Sequence, residues 1–180
     1  VVYIDYANLD WEKIPWFDEY FLVTLSLDTG HEDLDAMYNQ VKSDLDIVAY
    51  SLGCKHMNKM LQNKFKYNLN DRKSQRKKFF FDEYKWLQYA KNALLSNDPD
   101  TFGRLINESG NGSRDLLKNT NQQIDEAVSI ARSIGAYARV HGGGFKGGPI
   151  VFTKDSKVGQ VLSNIYGSNQ VSIHKIRGGV

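Results

Sequence analysis

Apolar positions recur along the 180-residue chain with two different periods, and the switches between them mark out its elements. The runs Val1-Val2-Tyr3-Ile4 and Phe21-Leu22-Val23-Thr24-Leu25-Ser26-Leu27 are rich in β-formers and predict strands over 1–6 and 20–27. Trp11 to Phe17, which contains Pro15, reads as a turn between them. Leu34, Met37, Tyr38, Val41, Leu45, Val48, Ala49 and Leu52 then fall at spacings of three and four, predicting a helix that Gly53 stops. A second helix is predicted from about Ser74 through Phe80, Tyr84, Leu87 and Ala90 to Leu95. Ser96-Asn97-Asp98-Pro99 turns into a short third helix through Phe102, Leu105 and Ile106, which Gly110-Asn111-Gly112 is expected to break. A fourth helix covers about 120–134 and ends at Gly135. The last third reads strand (137–141), loop, strand (149–153), helix (157–166), strand (170–176). There is no internal repeat, and the sum is an α+β domain with strands at both ends of the chain.

Composition narrows the classes of function. Lys and Arg number 23 against 21 Asp and Glu, a net charge of +2, which argues against a protein built mainly to coat nucleic acid or a membrane. A hydrophobic content of 41% excludes global disorder. A lone cysteine, Cys54, excludes an internal disulfide framework or a thiolate metal cluster, and makes the cytoplasm the simplest address. No run is long enough for a membrane-spanning helix, and no signal peptide is evident. The first residue is not Met, and the sequence reads as one domain (1–180) cut from a longer polypeptide.

The chemistry concentrates in Gly142-Gly143-Gly144-Phe145-Lys146-Gly147-Gly148, where five of seven residues are glycine. Glycine raises the entropic cost of ordering, and this loop holds more of it than a hairpin turn requires. Bare backbone N–H groups with free choice of φ sign can form a nest for phosphate, and Lys146 either adds charge to it or points into water. A flexible tip with no ligand is the bland alternative. The loop is neither a Walker A motif nor a dinucleotide-binding turn, because a strand follows it where those motifs open a helix.

The stretch from Gly135 through Arg139, Val140 and His141 to Gly147 resembles the third signature of the galactokinases, within the GHMP family of small-molecule kinases. Phe102-Gly103-Arg104-Leu105-Ile106-Asn107-Glu108-Ser109, followed by Ser113-Arg114-Asp115-Leu116, is similar to a second galactokinase segment. The Leu34–Gly53 helix with Tyr38-Asn39 is similar to a third. The resemblance covers the C-terminal half of such kinases only. It implies a two-layer α+β sandwich, a mostly antiparallel sheet covered by helices around a ferredoxin-like core.

It also implies phosphoryl transfer from ATP to the anomeric hydroxyl of galactose. The Mg²⁺ and most of the ATP site would belong to an N-terminal lobe of the same polypeptide, which would also supply the catalytic aspartate. Gly142, Gly143, Gly144, Phe145, Lys146 and Gly147 would then line the phosphate side of the cleft, and Tyr38 would approach the sugar. Glu108, Ser109, Arg114, Asp115 and His141 would brace the cleft, with Arg114 and Asp115 as an ion pair. Departures from the common pattern are Val140-His141 before the glycines, Lys146 in place of a small residue, and Asp28-Thr29-Gly30-His31-Glu32-Asp33, whose acids suit helix capping better than a metal.

Two rivals share the sequence. One is a galactokinase-like sensor of sugar and ATP without turnover. The other is an RNA-binding module built on the basic, aromatic stretch 64–78, which the near-neutral charge disfavours.

Overall fold

The computed structural model describes residues 1–5, 10–27, 34–51, 53, 68, 70–145 and 147–176. Strands β1 (Val2–Asp5) and β2 (Asp10–Lys13) form an antiparallel hairpin. β3 (Phe21–Leu25) is followed by helices α1 (Leu34–Ser51), α2 (Arg72–Leu95) and α3 (Pro99–Gly112). A π-helical turn over Ser113–Leu117 extends α3, and α4 (Gln122–Ser133) follows it. The chain closes with β4 (Tyr137–Val140), β5 (Pro149–Thr153), α5 (Lys157–Tyr166) and β6 (Val171–Lys175).

The main sheet has the order β4-β5-β3-β6, antiparallel throughout. With α4 and α5 as its two helices this is the split β-α-β order of a ferredoxin-like core, with α1 to α3 inserted after the first strand. The expected α+β sandwich of antiparallel strands and helices is the fold observed.

Alternation along the strands sorts the core. Val23, Leu25, Ala138, Val140 and Val151 face Ile124, Ala127 and Ala131 of α4 and Val158 and Leu162 of α5. The other face carries Phe152, which stacks on Tyr20 at 4.5 Å and meets Phe102 and Trp16 edge-on at 5.1 and 5.7 Å. Ile14, Phe17 and Leu94 complete this second cluster, so α2, α3 and the segment before β3 close the sheet from that side.

Helix ends follow local chemistry. Asp71, Asp98 and Asn121 each accept a backbone N–H three residues on, capping α2, α3 and α4. Pro99 occupies the first turn of α3.

Two readings of the sequence are corrected. Asp10–Lys13 is a strand, not part of a turn, and its four exposed side chains show no alternation because it pairs only with β1 and buries neither face. The Gly110-Asn111-Gly112 segment does not break α3. A Cβ on Gly112 would lie 2.9 Å from the Trp86 ring, and one on Gly110 3.2 Å from the Ala138 carbonyl, so these glycines let the helix approach α2 and β4.

The basic stretch also changes meaning. Asp44 of α1 is 1% exposed and accepts from Arg72 Nε at 2.7 Å and Nη2 at 3.2 Å. Arg76, itself buried, pairs with the same carboxylate and donates to the Gln40 carbonyl at 2.9 Å. Burial pushes the Asp44 carboxyl up, but the Arg72 hydrogen bond and the Arg76 and Arg72 charges outweigh it and hold the group below its ordinary range. Two of the cations read as free for RNA therefore clamp α1 to α2. Lys64, Phe65, Lys66 and Tyr67, like Cys54, His56 and residues 28–33, lie outside the described residues.

Candidate functional site

β4 and β5 deliver the glycine loop at one end of the sheet. His141 N–H donates to the Gly148 carbonyl at 3.1 Å and closes its base, with the His141 side chain exposed beside it. The loop is shaped by alternating backbone signs: Gly142, Gly144 and Gly147 have φ of +61°, +78° and +85°, and Phe145 joins them at +59°. The buried Phe145 ring anchors the loop, edge-on to Tyr38 at 5.2 Å.

Three successive carbonyls are each held by a side-chain donor. Asn119 Nδ2 donates to Gly143 O at 2.9 Å, the Tyr38 hydroxyl to Gly144 O at 3.0 Å, and Asn121 Nδ2 to Phe145 O at 3.4 Å. The Phe145 N–H returns a bond of 2.6 Å to the Asn119 carbonyl. A Cβ on Gly144 would stand 2.1 Å from that carbonyl, and one on Gly143 2.7 Å from the Tyr38 ring. Gly142 and Gly143 are exposed, and their N–H groups take no hydrogen bond among the described residues. A braced loop thus carries two donors at exposed residues, unpaired among the described residues, an arrangement suited to an anion.

The other candidates spread over two places. Tyr38, 42% exposed, sits against the loop on α1. Ser109 is buried and bonds both Glu83 and Arg139, whose Nη1 lies 2.7 Å from Glu83 Oε1. This cluster ties α2 and α3 to the strand that feeds the loop. Arg114 and Asp115 pair through two bonds of 2.8 and 2.9 Å on the exposed π-helical turn. Each holds the other charged, Asp115 below and Arg114 above its ordinary value. Glu108 turns away from all of these, onto an outer groove shared with Tyr89, Asn92 and Arg104. Lys146 lies outside the described residues.

Sequence reasoning missed Asn119, Asn121, Glu83 and the role of Arg132. Arg132 donates to the carbonyls of Ala138 (2.8 Å) and Asn107 (3.0 Å) and to Asn111 Oδ1 (2.8 Å), locking α3, α4 and β4 together. The available signal was Asn119-Thr120-Asn121, two asparagines just before a helical period, of which at least one had to be a cap.

The fold is similar to that of solved small-molecule kinases of the GHMP class. It superposes on a galactokinase from Lactococcus lactis solved with galactose (TM-score 0.78, 18% identity), covering 96% of this chain and 49% of that one. L. major mevalonate kinase, solved with R-mevalonate, follows at a TM-score of 0.60 and 17% identity, over 92% of this chain and 44% of that one.

Within that class the sequence is similar to galactokinases. The Thermotoga neapolitana protein is 27% identical over 171 residues, covering 92% of this chain and 49% of its own length. The Glaesserella parasuis protein is 29% identical over 167 residues, covering 88% and 44%. The chain spans about half the length of these relatives and is consistent with a C-terminal galactokinase fragment. No family model matches it. Among the described residues no helix is long and apolar enough to cross a membrane.

Proposed function

We propose that residues 1–180 are the C-terminal lobe of a galactokinase, which with an N-terminal lobe of the same polypeptide transfers the γ-phosphoryl group of ATP to the C1 hydroxyl of galactose. The observation that carries this reading is the glycine loop: Gly142 and Gly143 offer unpaired N–H groups at the surface of a lobe with galactokinase relatives along most of its length. Phosphoryl transfer is mainly a matter of positioning and charge neutralisation, and rigid backbone donors supply both without reorganising.

In this reading the loop from Gly142 to Gly147 forms one wall of the cleft and neutralises phosphate charge. Tyr38 meets the sugar. Its hydrogen is spent on Gly144, so its oxygen accepts from a sugar hydroxyl and its half-exposed ring offers a flat apolar face. The Ser109–Glu83–Arg139 cluster and the Arg114–Asp115 pair brace the strand and turn behind the loop. The Mg²⁺ that accompanies ATP is assigned in this reading to the N-terminal lobe, as the galactokinase likeness implies. The base that takes the C1 proton is assigned there too.

The test is ATP-dependent formation of galactose 1-phosphate by the full-length protein and by residues 1–180 alone. Turnover by the full-length protein and none by the fragment is expected. Binding of ATP and galactose without turnover would make the protein a sensor, and absence of both would overturn the reading.

A further inference from the structure

We infer that Asn119 is the positioning residue that sets the glycine loop for nucleotide phosphate. The inference rests on the kinase reading above, and its location in the fold is independent of the three segments that resemble galactokinases.

Asn119 is brought under the loop by an irregular piece of chain. The π-helical turn over Ser113–Leu117 ends at Lys118, a non-glycine residue at φ +59°. Asn119 N–H then bonds the Ser113 carbonyl at 3.3 Å. Insertions of π-helix and left-handed non-glycine residues cost stability and persist where the surrounding structure requires them. Here they place one side chain, 2% exposed, directly beneath Gly143 and Gly144.

The chemistry of that side chain is one-sided. Nδ2 is committed to the Gly143 carbonyl, so the amide cannot be turned over without setting oxygen against oxygen. Oδ1 is buried with no partner among the described residues, and so is the Ser113 hydroxyl oxygen six positions earlier in the chain. A residue retained for stability alone would be better replaced by an apolar side chain of similar size, because a buried unmet acceptor is costly. What asparagine adds over such a side chain is the donor to Gly143. That bond, with the main-chain bond between Phe145 N–H and Asn119 O, grips the loop on both sides of Gly144 and leaves the Gly142 and Gly143 donors unpaired among the described residues.

The experiment uses the full-length protein. Asn119→Ala is expected to raise the KM for ATP about tenfold while the KM for galactose stays within about twofold, since one fixed donor is worth about that factor. Asn119→Asp separates positioning from packing. The ionised carboxylate repels the Gly143 carbonyl, whereas the protonated acid donates to it, so the KM for ATP of this variant should fall towards wild type as the pH is lowered.

Amide hydrogen exchange of the peptide spanning Gly142 to Phe145 gives a readout that needs no activity. It should accelerate at least about tenfold in either variant at neutral pH, with β4 and β5 unchanged. A loss of kcat with both KM values unaltered, or a pH-independent Asn119→Asp enzyme, overturns the inference. So does unchanged exchange in the loop. A wild-type protein without turnover defeats the kinase reading instead, and loop exchange then still decides whether Asn119 sets the loop.

Discussion

Two glycine clusters in this molecule look alike in sequence and do opposite things. Gly103, Gly110 and Gly112 sit inside α3 with ordinary helical backbone, and each marks a place where another element comes too close for a side chain. In the loop, Gly142, Gly144 and Gly147 take left-handed backbone, and at Gly142 and Gly147 the space beside the residue is open. The first cluster spends its missing side chains on packing alone; the second spends them on close approach at Gly143, Gly144 and Gly148, and also on backbone sign and free donors at the surface. Only the second has the form of a binding site, and a count of glycines does not tell the two apart.

The sharpest way to break this contrast is Gly144→Ala, where both reasons coincide. A Cβ would meet an immovable carbonyl at a left-handed residue, and a loss of about 3 kcal/mol, read by denaturant melts, is expected. Gly103→Ala should cost about 2 kcal/mol, since the Tyr137 ring 2.1 Å from the new carbon has to shift, and it should leave the KM for ATP unchanged. If Gly103→Ala altered that KM, the division between packing glycines and loop glycines would fail. Gly142→Ala has room for its methyl and bears only the left-handed penalty, about 1 kcal/mol. Its effect should fall mainly on ATP binding.

The smallest effect expected near neutrality concerns Asp44, which holds α1, and with it Tyr38, to α2. Its folded pKa is lowered, so its contribution is fully present above the unfolded value of about 3.9 and is lost as pH falls through the lower folded value. Melting temperatures should show no contribution from Asp44 to any change between pH 7 and 5. Below about pH 4 the wild type should lose stability more steeply than Asp44→Asn.

Much of this fold is legible in the chain, for a physical reason. α4 and α5 each bury one face, α1 buries Val48 and Ala49 near its end, and β3, β4 and β5 alternate or run apolar, so their periods survive in the sequence. β2 buries nothing and leaves no period. The extension of α3 was hidden because glycine weakens a helix locally, while close packing against Trp86 and Tyr137 repays that only in three dimensions. The glycine loop was visible as composition. Its supports were not: Asn119 lies 24 positions before Gly143, and Glu83 lies 56 before Arg139. Pairings at that range leave no mark on local spacing.

The order of strands has a consequence for how the polypeptide comes to be made. β3 leaves the ribosome well ahead of its partners: both strands that hydrogen-bond to it, β5 and β6, follow about 120 residues or more later. At 5–20 residues per second this is a wait of roughly 6–25 s. Throughout it a short, apolar ribbon has both edges bare, the condition under which nascent chains stick to one another or recruit chaperones.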